Sequence, residues 1–164
     1  MLTQFLANYF FHNPQKPALQ SILPQQAVNA IYSGVLPNIK TDKLILKSGE
    51  KCRYVDMGAI VTQKKYTYRW SSGSSSRWWK GFTHYVSTGE SIPQYDLEFT
   101  KGFLYFTDKR IVFVSSKHGF ERKIDKLSAV TGFSDGMALQ FGDKVFTILL
   151  SDGNVAKAAL DLLL

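Results

Sequence analysis

The stretch Lys101–Ser115, KGFLYFTDKRIVFVS, decides how the rest of this 164-residue chain is read. On its first arm Phe103 and Tyr105 alternate with Leu104 and Phe106; on its second, Ile111 and Phe113 alternate with Val112 and Val114. Aromatic and branched residues at both phases of a period-two pattern predict strands with both faces covered. Between the arms, Asp108 and Lys109 form a candidate two-residue hairpin loop flanked by Thr107 and Arg110. Such loops demand positive φ, which aspartate tolerates better than most residues. The hairpin organises a sheet core and carries no evident chemistry.

Downstream, Lys117-His118-Gly119 predicts a tight turn. Short strands are expected at Phe120–Ile124, Ala129–Phe133, Met137–Phe141 and Lys144–Leu150. Their breaks fall at Asp125-Lys126, Ser134-Asp135-Gly136 and Gly142-Asp143, as in antiparallel sandwiches and barrels. The chain then turns helical, with Ser151 or Asp152 as cap and Val155, Ala159 and Leu162 on one face. Upstream, Gln94–Thr100 leads into the hairpin and Ser87–Pro93 reads as a polar turn region. Arg77–Val86 reads as a strand and Ser71–Ser76 as a loop of small residues. An extended segment is expected from Lys51 to about Trp70, interrupted near Gly58, with Leu44–Leu46 a short strand before it.

The first 42 residues follow a different period. Leu2, Phe5, Leu6, Tyr9 and Phe10 fall at helical spacing and draw one apolar stripe, which Asn13-Pro14 stops. A stripe without Lys or Arg on its polar face suits contact with a second copy of the chain better than a membrane surface. Docking on its own domain is the simpler alternative. Pro17–Pro24 reads as a linker, and a second short helix is expected from Pro24 through Tyr32, ended by Gly34. Val28, Ile31, Tyr32 and Val35 would form its apolar face.

Composition narrows the function. The single cysteine, Cys52, provides no disulfide framework and no thiolate metal cluster, which fits a reducing, cytoplasmic setting. No apolar run reaches the roughly 18–20 residues that cross a bilayer. The opening MLTQFLANYFFHNP lacks the basic start and small-residue cleavage site of a signal peptide. Net charge is +7, and its distribution is uneven: residues 51–85 carry seven basic groups against Asp56 alone, whereas residues 86–164 carry nine basic and ten acidic groups. An anionic partner for the middle third is the electrostatic expectation.

The run Gly102–Phe113, GFLYFTDKRIVF, resembles the G-x-L-x-x-T-x-x-R-[IL]-x-F hairpin of bacterial pleckstrin-homology-like (GRAM-like) domains, and Leu46–Glu50, LKSGE, matches upstream. The resemblance covers about residues 43–164 and implies a mainly β (α+β) fold. That fold is a PH-like antiparallel barrel or orthogonal sandwich of about seven to eight strands closed by one C-terminal helix. Residues 1–42, with two short helices, would be an N-terminal helical appendage. Such domains are non-catalytic binding and scaffolding modules. Some members hold phosphoinositides through basic residues on the first two strands; here Lys64 and Lys65 fit that arrangement, and Arg77-Trp78-Trp79-Lys80 departs from it.

No C-x-x-C, H-E-x-x-H, Walker A or G-x-G-x-x-G pattern occurs, and His12, His84 and His118 are scattered, so no metal, cofactor or catalytic constellation is expected. Cys52 reads as a small core residue. The segment that stands out is 64–85, KKYTYRWSSGSSSRWWKGFTHY, in which cations adjoin aromatic rings. Lys64, Lys65, Arg69, Arg77, Trp78, Trp79 and Lys80 are the candidate ligand-binding residues, and Leu2, Phe5, Leu6, Tyr9 and Phe10 the candidate oligomer contact. The leading expectation is a self-associating module whose basic-aromatic face takes an acidic protein or an anionic lipid headgroup, cytoplasmic or peripheral at a membrane surface. Single-stranded nucleic acid, stacked on the tryptophans, is the alternative. The competing structural reading is a sheet edge with its aromatics in the core and its cations in water. An enzyme is the third class and has the least support.

Overall fold

The computed structural model describes residues 17–68 and 92–164, with side chains described for 17–62 and 97–164. The chain divides into two compact units, one built from residues up to Val61 together with Phe99–Leu164, the other from Thr62–Glu98.

Helix α1 (Gln25–Tyr32) comes first, followed by the seven strands β1 (Cys52–Tyr68), β2 (Ile92–Thr107), β3 (Arg110–Ser115), β4 (Phe120–Lys123), β5 (Ala129–Phe133), β6 (Gly136–Phe141) and β7 (Lys144–Leu150). Helix α2 (Gly153–Leu163) ends the chain, and a 3-10 turn at Ile124–Lys126 separates β4 from β5. The strands form one sheet in the order β4-β3-β2-β1-β7-β6-β5. The fold is mainly β, as the alternating pattern requires. β1 runs through Gly58, which pairs with Leu150, so the expected interruption is absent. Ile92 and Pro93 already belong to β2 rather than to a turn.

The hairpin β2–β3 sits where its sequence places it, with Leu104 opposite Phe113 and Phe106 opposite Ile111. Leu104, Phe106, Ile111 and Phe113 enter the main core with Tyr54, Met137, Ile148 and Leu160. Tyr105 and Val112, on the other face, form a second cluster with Cys52 and Val55. That face is covered by an earlier segment: Ile39 bridges Cys52 through a 2.8 Å backbone hydrogen bond, and Leu44 and Leu46 pack on the cluster. Residues 44–46 are therefore an apolar cover and not the short strand their composition suggests.

Aromatic contacts show that the sheet is bent over on itself. Phe120 on β4 stacks on Phe146 of β7 with ring centroids 4.0 Å apart. In a flat sheet four strand spacings would separate these strands by about 19 Å. Arg122, also on β4, lies over the same Phe146 ring at 5.5 Å.

The helices complete the main core, with apolar faces that match only in part those the sequence suggests: Val28, Ile31, Val155 and Ala159 belong to the core or pack on it. In α1 the buried residues are Ala27 and Ile31, joined by Leu23 just before it, whereas Tyr32 and Val35 are each 59% exposed. In α2 Val155, Ala156, Ala159 and Leu160 are buried and Leu162 is exposed. Two adjacent positions per turn are needed because α2 packs against both α1 and the β5–β6 hairpin. Asp152 caps α2, its Oδ1 accepting the Asn154 N–H at 2.9 Å. Gly34 ends α1 with φ +84, the left-handed conformation that glycine adopts freely. The stripe Leu2, Phe5, Leu6, Tyr9 and Phe10 and the strand expected at Arg77–Val86 lie outside the described residues.

Candidate functional site

Among the described residues, polar chemistry concentrates at the β2–β3 turn. Thr107 is fully buried, and its hydroxyl is fully used. It accepts the N–H groups of Lys109 at 3.1 Å and Arg110 at 2.9 Å and donates to Glu50 Oε2 at 2.7 Å. No non-glycine residue among those described has positive φ, so the loop does not take the conformation expected of Asp108. The Thr107 side chain instead satisfies the turn's amides, which removes the need for it.

Glu50, in the LKSGE segment, meets Arg110 across this turn. Arg110 Nε donates to Glu50 Oε2 at 2.9 Å and Nη2 to Glu50 Oε1 at 3.0 Å, a two-pronged pair. The remaining donors reach the Ile45 carbonyl at 2.5 Å and Glu121 Oε1 at 2.7 Å. Burial alone would raise the Glu50 carboxyl. The bonds from Arg110, the Lys47 amide and Thr107, with the guanidinium charge, override it and hold the pKa at about 2. The same Glu50 bonds come first in raising the Arg110 pKa above its ordinary value. Two sequence fragments some 60 positions apart thus form one ion-paired knot.

Outside this knot lies an open cleft of about 580 Å3 lined by Lys47, Asp108, Lys109, Arg110, Glu121, Lys123, Ile124 and Asp125. Its charges are mixed. Glu121 is tied to Arg110 and lies 3.9 Å from Lys47, while Asp108 accepts the Lys51 N–H at 3.1 Å. Lys109 reaches the Ser48 carbonyl at 2.9 Å. The cleft offers ammonium groups on a rigid floor and no nucleophile paired with a base.

The residues singled out in the sequence lie elsewhere. Lys64 and Lys65 are in the distal part of β1, within the unit Thr62–Glu98; Arg69, Arg77, Trp78, Trp79 and Lys80 fall outside the described residues. His12 and His84 are also outside them. His118 closes a turn, its N–H donating to Ser115 Oγ at 3.0 Å. Cys52 is fully buried, its thiol donating to the Tyr54 carbonyl at 3.4 Å, and burial pushes it up to about 11, far from a reactive thiolate. Among the described residues no group of three His, Cys, Asp or Glu side chains could hold a metal ion. No described helix is long and apolar enough to cross a membrane.

A second buried carboxylate leaves little trace in the pattern of residues. Asp56 is 2% exposed and accepts hydrogen bonds from Ser21 Oγ at 2.9 Å and from the Ile22 and Met57 N–H groups at 2.8 Å each. Burial, ahead of these bonds, leaves its pKa raised. It anchors the segment that leads into α1. An acidic residue inside an otherwise apolar stretch of β1 was the available signal.

No family model matches the chain, and no curated protein matches it. Among solved structures, the Vps36 N-terminal PH domain is similar with a TM-score of 0.41 and 16% identity, over 78% of this chain and 89% of that one.

Proposed function

We propose that the protein is a non-catalytic interaction module whose basic-aromatic face, Lys64, Lys65, Arg69, Arg77, Trp78, Trp79 and Lys80, takes an acidic protein or an anionic lipid headgroup. The observation that carries this reading is the charge distribution: seven basic groups against one acidic group in residues 51–85. In this reading residues 43–164 form a PH-like barrel and residues 1–42 its N-terminal appendage, of which Leu23, Ala27 and Ile31 share the main core. Self-association runs through Leu2, Phe5, Leu6, Tyr9 and Phe10. The interleaving of Trp78 and Trp79 with Arg77 and Lys80 favours single-stranded nucleic acid as the second reading.

One titration separates these ligands. Vesicles carrying phosphatidylserine, poly-glutamate and a single-stranded oligonucleotide are each added at low and high salt to the wild type and to a Lys64→Glu/Lys65→Glu variant. The basic face predicts salt-sensitive binding of vesicles or poly-glutamate that the variant loses; binding of the oligonucleotide alone, with tryptophan quenching, would transfer the assignment to the second reading. If none of the three binds at low salt, the face is a solvated surface. Light scattering of the full chain and of a chain lacking residues 1–16 tests self-association, and two monomers would end it. The truncation stops there because Ser21, Ile22 and Leu23 are tied into the fold.

A further inference from the structure

Residues 17–34, PALQSILPQQAVNAIYSG, contain no Asp, Glu, Lys, Arg or His, so this segment seats on the domain without a charge of its own. Its helix α1 has little to hold it together alone. It is eight residues long, Pro24 supplies no side-chain cap, and neither an acid in the first turn nor a base in the last complements its dipole. Isolated helices below roughly 12–15 residues are marginal in water, so the packing of Leu23, Ala27 and Ile31 keeps α1 formed. Polar ties are few. Among the described residues, the bonds from 17–24 to the sheet come from Ser21 Oγ and the Ile22 N–H, and both end on Asp56. The chain is refastened at Ile39, whose N–H donates to the Cys52 carbonyl at 2.8 Å, which leaves residues 35–38 as the connection.

Asp56 is 2% exposed, and among the described residues no cation acts on its carboxylate. The titratable groups that act with it are the Tyr54 hydroxyl, buried on the same strand, and Asp152 at the head of α2. Asp56 and Asp152 each lie two residues beyond the Gly58–Leu150 pair, so both carboxylates fall at one end of the β1–β7 ladder. Tyr32, the titratable residue of the segment itself, is exposed. The neutral acid fits the same contacts. Oδ1 keeps the Ile22 and Met57 N–H groups, while a proton on Oδ2 is donated to Ser21 Oγ, whose own hydrogen turns to water because Ser21 is exposed. Ionisation adds no bond and leaves a bare charge in a buried site. Burial outweighs the donors and, with the Asp152 charge, holds the carboxyl above its ordinary 3.8.

We propose that residues 17–34 form a strap gated by Asp56, seated on α2 and the main core while the carboxyl is protonated and opening as a unit more readily as it ionises. Opening uncovers the apolar surface beneath Leu23, Ala27 and Ile31 and leaves the sheet folded. It also returns Asp56 to water, where its pKa is the lower one, so the opened state binds the proton less tightly. The opening constant therefore climbs as pH rises above about 3.8, by no more than tenfold per unit, and levels off once the seated carboxyl has lost its proton. Seating is firmest below that range and weakest above it.

Amide exchange of the full chain, followed by NMR as protection relative to intrinsic rates, tests this between pH 4.5 and 8, above the window in which Glu50 acts. The hydrogen-bonded amides of Ile22, Ala27 and Val28 are expected to be at least about tenfold less protected than Leu104 on β2, which marks an opening short of global unfolding. Their protection is expected to fall together by about threefold or more as pH rises. Asp56→Asn imitates the neutral acid, its amide donating to Ser21 Oγ, and is expected to hold protection level across the range. Asp152→Asn keeps a side-chain oxygen for the α2 cap and is expected to move the fall to lower pH. Wild-type protection that stays level or rises with pH would overturn the proposal. Protection equal to that of Leu104 would also overturn it, because the strap would then open only with the whole domain. So would a fall that persists in Asp56→Asn, since another group would be its source. Should that variant fail to fold, the wild-type profile and its shift in Asp152→Asn decide.

Discussion

At Arg110 one guanidinium satisfies two carboxylates and a carbonyl, so its geometry matters as much as its charge. Arg110→Lys cannot reach all three. It should lower the unfolding free energy by about 3 kcal/mol, read from the urea midpoint. The pH dependence follows from Glu50, whose folded pKa of about 2 lies below the ordinary 4.5. A depressed carboxyl contributes stability above its unfolded pKa, on the order of 3 kcal/mol here, and loses it as pH falls from about 4.5 to about 2. Glu50→Gln should flatten that limb in an acid titration of stability. Asp56 has the opposite sign: its raised pKa makes the folded state gain stability as pH falls through that value. Asp56→Asn, which keeps an acceptor for Ile22 and Met57, should therefore cost little at pH 7, whereas Asp56→Ala should cost about 2 kcal/mol by orphaning both amides. Tyr54 stacks on Phe106 at 4.8 Å, yet its buried hydroxyl finds no partner among the described residues. Tyr54→Phe should raise thermal stability by about 1 kcal/mol, and a loss would mean that the hydroxyl is satisfied after all.

Among the elements, α2 best separates local from tertiary causes. Asp152→Ala removes a cap and should cost about 1 kcal/mol. Gly153→Ala should cost clearly more in the same denaturation experiment, since a Cβ there would lie 2.0 Å from the Phe133 carbonyl oxygen and 2.5 Å from that of Gly136. Sequence spacing located this helix and its cap, because caps and glycine stops are local chemistry. It missed Ala156 and Leu160 as core positions, because only the packed neighbours define which stripe is inward. The same limit applies to Leu44 and Leu46. Their composition resembles a strand, but an 88% exposed Ile45 between them shows a cover lying on a sheet that its residues do not join.

On the scale of the whole molecule, the bent sheet leaves β4 and β5 at the two ends of the strand order. Amide hydrogen exchange should accordingly be slowest in the inner strands, at Leu104–Phe106 of β2 and Ile148–Leu150 of β7, and faster in β4 and β5. Comparable protection in all of them would indicate that the edges are paired by something else. Much of this architecture was legible from one period-two stretch, since apolar residues on both faces of β2 and β3 required a cover on each side. The sequence by itself determined the mainly β class, the hairpin at Asp108-Lys109, the C-terminal helix and the uneven charge, all of which depend on near neighbours or on simple counting. Tertiary structure alone decided that Glu50 would meet Arg110 and Thr107, that Asp56 would be buried, and that Ile45 would be held in water. Those outcomes depend on which distant segments the bent sheet brings together, and residue spacing along the chain does not encode that distance.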